Sequence, residues 1–351
     1  MRDIALITPP AAAHAALVFA VCVFAGCACA CGAILWALLR TGLAWRLAID
    51  APNHRSLHTR PTPRIGGVGL TPVALGSTAL LGLLPMPIIV AAAVLAVVSW
   101  LDDHASLPVA TRFGVQVACA VAAAWAAQAM PPGTATPLDT AIAAVAIVAL
   151  VWMTNLYNFM DGSDGLAGGM ALVGFAALAA GAEAAGDAAL AGAGAAVAGA
   201  AAGFLVFNWP PARIFLGDLG SIPTGFLAGA VGLLGWRRGD WPWWFAILVF
   251  SPFIADATLT LVARLARGEK VWQAHREHIY QRMVAHGYGH RGTALRWYAL
   301  MIATAGTALA LRDAGVVACS VTLGAWAALF LVAFVAGKRA WPIAGPARGS
   351  G

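Results

Sequence analysis

Charge is scarce in this chain. Only 10% of its 351 residues are Asp, Glu, Lys or Arg, against roughly 25% in a soluble domain. A water-soluble globular enzyme is therefore excluded. At 61% hydrophobic residues and a mean hydropathy of +0.81, the chain is also far too apolar for disorder. The 39 glycines follow no G-X-Y period, which excludes collagen. Cysteine offers no disulfide framework and no zinc spacing: Cys22, Cys27, Cys29 and Cys31 share one apolar run, and Cys119 and Cys319 stand alone in others. They read as small packing residues in lipid. No internal repeat is visible to support a transporter built from inverted halves.

Long apolar runs fill the sequence instead. Phe24-Ala25-Gly26-Cys27 has the outline of a lipoprotein cleavage box, yet the run from Ala11 to Leu39 exceeds a signal-peptide core and more spans follow. It is expected to be an uncleaved first helix. Further runs cover Val68–Leu84, Pro85–Leu101, Phe113–Met130, Leu138–Met153, Leu166–Ala182, Ala188–Phe207, Leu219–Trp236, Trp241–Leu261, Ala294–Leu311 and Ala314–Ala336. The expected fold is all-α, a polytopic integral membrane bundle of about 10–11 transmembrane helices in one domain spanning residues 1–351. With the first loop inside, seventeen of the 21 Lys and Arg residues fall on the cytoplasmic side. The positive-inside rule then puts the N-terminus in the periplasm and the C-terminus in the cytoplasm. Arg237-Arg238 is a local exception. The net charge of +6 is read as loops facing anionic lipid, with no nucleic acid as partner.

The same topology gathers the polar residues on the cytoplasmic face, in loops 40–67, 102–112, 154–165, 208–221 and 264–293. Asp102 and Asp103 are adjacent carboxylates at a membrane edge, a pair that needs a divalent cation or a basic partner. A solvated helix end is the plainer explanation. Asn155-Leu-Tyr-Asn158-Phe-Met-Asp161-Gly-Ser-Asp164-Gly165 places four amide or carboxylate side chains in ten residues, more than a capped turn requires. Its glycines would allow a backbone to approach a ligand. Asp218, in a glycine-flanked turn, would serve either as a helix cap or as a metal ligand, and its company favours the ligand. His275 and His278 suit a phosphate- or substrate-binding pair, because their spacing of three is not the H-x-x-x-H zinc arrangement. His286 and His290 read as surface residues. The loop holding Arg55, His58, Arg60, Arg64 and Gly66-Gly67 is basic and stiffened by proline. Asp256 lies inside a span, where a carboxylate is costly and so functional by default.

Taken together, D-x-P-N-x-R…H-x-R-P-T-P-R-x-G-G from Asp50, the Asp102-Asp103 pair, N-x-x-N-F-M-D-G-x-D-G-L, F-x-G-D-x-G-S and the late H-x-x-H resemble the polyprenyl-phosphate N-acetylhexosamine-1-phosphate transferase family. The resemblance runs from Asp50 to about His278. It implies an enzyme of the bacterial inner membrane, with its active site toward the cytoplasm. That enzyme would move a sugar-1-phosphate from a UDP-N-acetylhexosamine to undecaprenyl phosphate and release UMP. It implies Mg2+, with Mn2+ as a substitute, on Asp218 and Asp103. Asp102 and Asp103 match the pair that handles the lipid phosphate, with Asp102 the candidate base. Asn155, Asn158, Asp161 and Asp164 match the nucleotide segment, Phe215 an aromatic that stacks on uracil, and His275 and His278 the motif near the diphosphate. Arg55, His58, Arg60, Arg64 and Arg112 are the expected phosphate clamps. A homodimer is also compatible with the resemblance.

The H-R-E-H-I-Y-Q form of the histidine motif points away from the peptidoglycan enzyme and toward the branch that initiates O-antigen or exopolysaccharide. The rival from another class is a transporter or ion-coupled carrier. A carrier needs ionisable groups near the bilayer midplane, whereas only Asp256 here is clearly within a span.

Overall fold

A computed structural model describes residues 10–52, 60–128, 136–270, 273 and 275–342. The chain forms α1 (Pro10–Arg40), α2 (Ala44–Leu47), β1 (Ile49–Asp50), β2 (Thr62–Pro63), α3 (Gly66–Leu80), α4 (Met86–Ala105), α5 (Val109–Ala126) and α6 (Pro137–Phe159). It continues with α7 (Leu166–Ala185), α8 (Ala188–Asn208), α9 (Asp218–Arg238), α10 (Phe245–Val249), α11 (Ser251–Ala266) and α12 (Ile279–Met283). A π-turn over Val284–Tyr288 leads to α13 (Gly289–Leu311) and α14 (Val316–Ala340).

The polytopic all-α expectation holds. Among the described residues, nine helical stretches are long and apolar enough to cross a membrane, and α3 is a shorter apolar helix. The only sheet among them is the antiparallel pair β1–β2, in which Asp50 faces Thr62. It closes the basic loop, a detail that the all-α reading did not anticipate.

Two expected boundaries change. The run Trp241–Leu261 is not one helix, because it breaks between α10 and α11. Pro252 has no N–H for the Leu248 carbonyl, and the Ser251 hydroxyl donates to that carbonyl at 2.6 Å instead. Asn155 and Asn158, expected in a loop after Met153, lie in the last two turns of α6. Residues three apart on a helix share a face, so the two amides project together.

Helices α1, α7 and α8 pack through small residues. A Cβ on Gly199 would sit 2.2 Å from the Phe24 carbonyl oxygen, and one on Gly203 2.4 Å from that of Ala28. Close backbone approach of this kind is how helices associate where lipid supplies no hydrophobic drive.

The starts of α3 and α9 meet still more closely. Gly66 and Gly67 donate their N–H groups to Phe215 and Leu216 at 2.8 Å each, and Phe215 N–H donates to the Pro63 carbonyl at 2.9 Å. A Cβ on Gly67 would fall 2.4 Å from the Gly220 nitrogen. Further in, Pro223 frees the Leu219 carbonyl of α9, and Thr71 of α3 donates its hydroxyl to it at 2.9 Å.

At the opposite end of the bundle, Arg238 pairs with Asp187 at 2.7 Å and Arg237 donates to the Gln128 carbonyl. The arginines that broke the charge bias are thus engaged locally. Burial and the neighbouring Asp187 push the Asp240 carboxyl up to about 6.

The Thr71 bond yields a test. Thr71→Val keeps the shape but leaves a buried carbonyl unpaired, a loss of about 1–3 kcal/mol. We expect a lower apparent Tm in detergent, with Thr71→Ser close to wild type.

Candidate active site

The polar residues converge at one end of the bundle around a cavity of about 630 Å3. Its walls include Asp102, Arg112, Asn155, Asn158, Asp218, His275 and His278, from five separate stretches of chain.

Asp102 and Asp103 occupy the last turn of α4 rather than a loop beyond it. Each meets an arginine. Arg112 donates to Asp102 Oδ2 at 2.7 Å, and the Leu107 N–H takes Oδ1 at 2.8 Å, so both Asp102 oxygens are engaged. Arg64 pairs with Asp103. Burial works against the Arg64 charge, but the Asp103 bond and the nearby Asp218, Asp103 and Asp50 outweigh it and raise its pKa. The adjacent carboxylates therefore have basic partners, one of the two remedies the sequence called for.

Asp218 begins α9, where a negative side chain meets the positive end of the helix dipole. Gly217 before it adopts φ +73°, ψ 169°, a conformation open to glycine. Asp161 lies in the turn after α6. Burial and the charge of Asp218 push its carboxyl well above the ordinary value, against the opposing pull of Arg64 and the Gly217 N–H. Asn158 accepts a hydrogen bond from Ser221 Oγ at 2.6 Å, which joins α6 to α9 beside Asp218.

Asp164 does not line the cavity. Its Oδ2 accepts from the Ala212 N–H at 2.9 Å, while Asn208 accepts from Gly165 N–H at 2.8 Å and donates to the Ile214 carbonyl at 2.9 Å. These bonds bracket the 160–165 turn to the 209–214 loop. His290, expected at the surface, contacts Ser163 Oγ at 3.0 Å. Phe215 also stands outside the cavity wall, with its backbone laced between β2 and α3. Arg60 is exposed, and Arg55 and His58 fall outside the described residues.

His275 and His278 do not share a helical face, because α12 starts only at Ile279. Their rings nonetheless lie 4.9 Å apart. The loop before them is held by a cage of charge. Buried Arg264 donates to Glu269 at 2.8 Å and to the Gln273 and Lys270 carbonyls, and Arg267 bonds Glu269 and Glu277 at 2.6 Å each. Arg282 donates to the Glu277 and Trp341 carbonyls and so ties the loop to the end of α14.

Sequence reasoning passed over Gln116. It is buried on α5, lines the cavity and accepts from Asn155 Nδ2 at 2.7 Å. A lone amide in an apolar helix was the available signal.

Beneath the polar cavity, α6, α9, α10 and α11 line a second, open space of about 480 Å3. Its wall is apolar, with Val145, Leu150, Trp152, Leu233, Ile247 and Phe250 among its residues. The two cavities share three helices: Asn155 and Leu156 of α6, Ile222 and Ala228 of α9, and Ala257 and Ile254 of α11 line the polar and apolar space respectively.

Fold and site define a multi-pass membrane protein with a charged cavity at one membrane edge. The sequence model of glycosyl transferase family 4 matches residues 85–235. A Streptomyces coelicolor protein named as a putative glycosyltransferase is 32% identical over 347 residues, covering 90% of this chain and 75% of its own. A Bacillus subtilis protein, named as a probable undecaprenyl-phosphate N-acetylglucosaminyl 1-phosphate transferase, is 26% identical over 316 residues, with 85% and 86% covered. The decaprenyl-phosphate N-acetylglucosaminephosphotransferase of Mycobacterium tuberculosis is 29% identical over 304 residues, with 73% and 74% covered. The chain belongs to glycosyl transferase family 4, the polyprenyl-phosphate N-acetylhexosamine-1-phosphate transferases.

The histidine loop gives a titration test. Burial, then His278 and Arg264, push the His275 imidazole down to about 4 from its ordinary 6.5. A histidine with a depressed folded pKa contributes stability above 6.5 that is lost as pH falls toward 4. NMR of labelled histidine should show one ring titrating near pH 4 that vanishes in His275→Gln; a midpoint near 6.5 would mean that His275 is solvated.

Proposed function

We propose that the chain transfers a sugar-1-phosphate, carrying an N-acetylhexosamine or N-acetylated 6-deoxyhexosamine, from a UDP-sugar to undecaprenyl phosphate and releases UMP. The observation that carries this reading is a cavity lined by Asp102, Asp218, Arg112, His275 and His278, with an apolar space beneath it on the same three helices. One substrate is ionic, and the other joins a phosphate to a long hydrocarbon. The apolar space suits the isoprenoid chain, and the polar cavity suits both phosphates.

The acceptor phosphate is itself the nucleophile and is largely ionised near neutral pH, so base catalysis has little to add. An oxygen of the lipid phosphate attacks the β-phosphorus of the UDP-sugar. The bond from that phosphorus to the bridging oxygen breaks, and its electron pair leaves on UMP. The sugar–oxygen bond stays intact. Arg112, oriented by Asp102, lines the cavity, and Arg64, oriented by Asp103, lies near Asp218; both are donors suited to non-bridging oxygens. Neutral His275 offers a further donor without adding a fixed cation, and the His278 ring stands beside it. Asn155 and Asn158 are the amides that face the nucleotide.

Mg2+ fits this donor set. Asp161 and Asp218 are close enough to repel and are partly desolvated, while among the described residues no three Asp, Glu, His or Cys side chains converge as a closed metal cage. An open pair of carboxylates, with substrate phosphates completing the shell, is the arrangement that Mg2+ favours. Asp218 and Asp161 would hold the ion, with Asp103 across Arg64. When bound, the ion screens phosphate–phosphate repulsion and stabilises charge on the departing UMP. We place the active site at the cytoplasmic face of a bacterial inner membrane, at the first membrane step of O-antigen, exopolysaccharide or related cell-envelope glycan synthesis.

The test is UMP release by the purified chain in detergent, supplied with undecaprenyl phosphate, Mg2+ and a panel of UDP-N-acetylhexosamines. We expect release with at least one donor, loss in EDTA, recovery with Mg2+ or Mn2+, and a fall of at least about 100-fold in Asp218→Ala. Solute transport without UMP release from any donor would replace this reading with that of a carrier.

A further inference from the structure

Asp256 sits in the middle of α11 with its side chain only 3% exposed, a costly place for a carboxylate. None of the phosphate chemistry above uses it, and it does not line the polar cavity. Its oxygens are spent on backbone. Oδ1 accepts from the Ile279 N–H at 2.9 Å and Oδ2 from the Tyr280 N–H at 3.2 Å, while Thr260 Oγ1 donates to Oδ1 at 3.2 Å.

Ile279 and Tyr280 are the first residues of α12, whose opening N–H groups have no partner inside the helix. A residue at the N-cap normally supplies the acceptor. Here that position is His278, paired in a capping box with Gln281, whose Oε1 accepts the His278 N–H at 3.2 Å, and neither of them takes the Ile279 or Tyr280 N–H. The capping oxygen comes instead from 23 residues upstream. That leaves position 278 free to carry an imidazole that lines the cavity. The His278 ring stands with Nδ1 3.6 Å from Asp256 Oδ1, between Phe159 and Tyr280, both of which it faces in stacked orientation.

The clamp also reaches Asp161. Tyr280 is fully buried, and its hydroxyl donates to the Phe159 carbonyl at 2.9 Å. A Cβ on Gly162 would lie 2.2 Å from that hydroxyl. The turn that carries Asp161 is therefore seated on the residue whose backbone Asp256 holds.

We infer that Asp256 is a positioning residue of the transfer site: by capping α12 from within the bundle, it sets the His278 ring and, through Tyr280, the turn of Asp161. The inference rests on the transferase reading for its kinetic consequence and on geometry alone for the clamp, so the two can fail separately.

The experiment uses full-length protein in detergent, comparing wild type, Asp256→Asn, Asp256→Ala, His278→Gln and the Asp256→Ala/His278→Gln double variant. Amide hydrogen exchange reads the clamp without activity. Exchange at Ile279 and Tyr280 should accelerate in Asp256→Ala while the α7–α8 pair keeps its protection. UMP release reads the positioning. We expect kcat to fall roughly 100-fold in Asp256→Ala, with donor KM little changed, and Asp256→Asn, which keeps one acceptor oxygen, to fall between. In the His278→Gln background the Asp256→Ala loss should shrink to a few-fold, because two residues acting through one another are not additive.

Unchanged exchange at Ile279 and Tyr280 would overturn the clamp. A loss that multiplies fully on His278→Gln, or a kcat that falls only with the folded fraction, would reduce Asp256 to a stability element. Should Asp256→Ala fail to fold, Asp256→Asn carries both readouts. Wild-type protein that releases no UMP from any donor would sink the transferase reading, and the exchange result would still decide the clamp.

Discussion

The site depends on a contact that no side chain mediates. At the starts of α3 and α9 two backbones lie against each other, with Gly66 and Gly67 donating to the loop of Phe215 and Leu216 and with Gly67 against Gly220. Nothing larger than hydrogen fits between them. That lacing sets Asp218, at the head of α9, beside Arg64, just before α3. Arg64 in turn meets Asp103 of α4 and feels Asp161 from the end of α6. Three carboxylates of the site are placed, directly or at one remove, by this glycine contact.

The lipid environment explains much of the rest. Inside a bilayer no water satisfies a freed carbonyl, so each interruption of a helix needs a partner from the protein. Pro223 is answered by Thr71, and Pro252 by Ser251. The start of α12 is answered by Asp256. Such interruptions carry the chemistry, since a continuous apolar helix presents no polar group to a substrate. Around the cavity, arginines are matched with acids. Arg64 and Arg112 hold the aspartate pair, and Arg264, Arg267 and Arg282 hold Glu269 and Glu277 beneath the histidines. Unpaired buried charge is strongly unfavourable, so the balance lets this many ionic groups share one membrane edge.

Much of this was legible in the chain. Apolar length marks membrane helices because lipid thickness is nearly constant, and the separate helices α3 and α4 on either side of Pro85 followed from that and from proline's missing donor. The five polar segments were readable as one cluster because alternate loops of a spanning bundle share a side. Less legible were the helical extension to Phe159 and the break at Phe250, since both turn on local satisfaction of carbonyls. His290 read as a surface residue because nothing in its own neighbourhood names Ser163, which is 127 positions away.

Residue type and order alone establish a polytopic helical bundle, the gathering of its motif residues at one end, and the family whose motifs it carries. These are properties of local composition, which lipid and water sort without regard to what packs against what. Which arginine meets which aspartate, why Asp164 serves a backbone amide while Asp161 faces Asp218, and why a buried Asp256 serves α12 are decided by the tertiary structure. Each is a meeting of groups ten or more residues apart, and the packing of α4 on α5, α3 on α9, α6 on α9 and α11 on α12 brings them together.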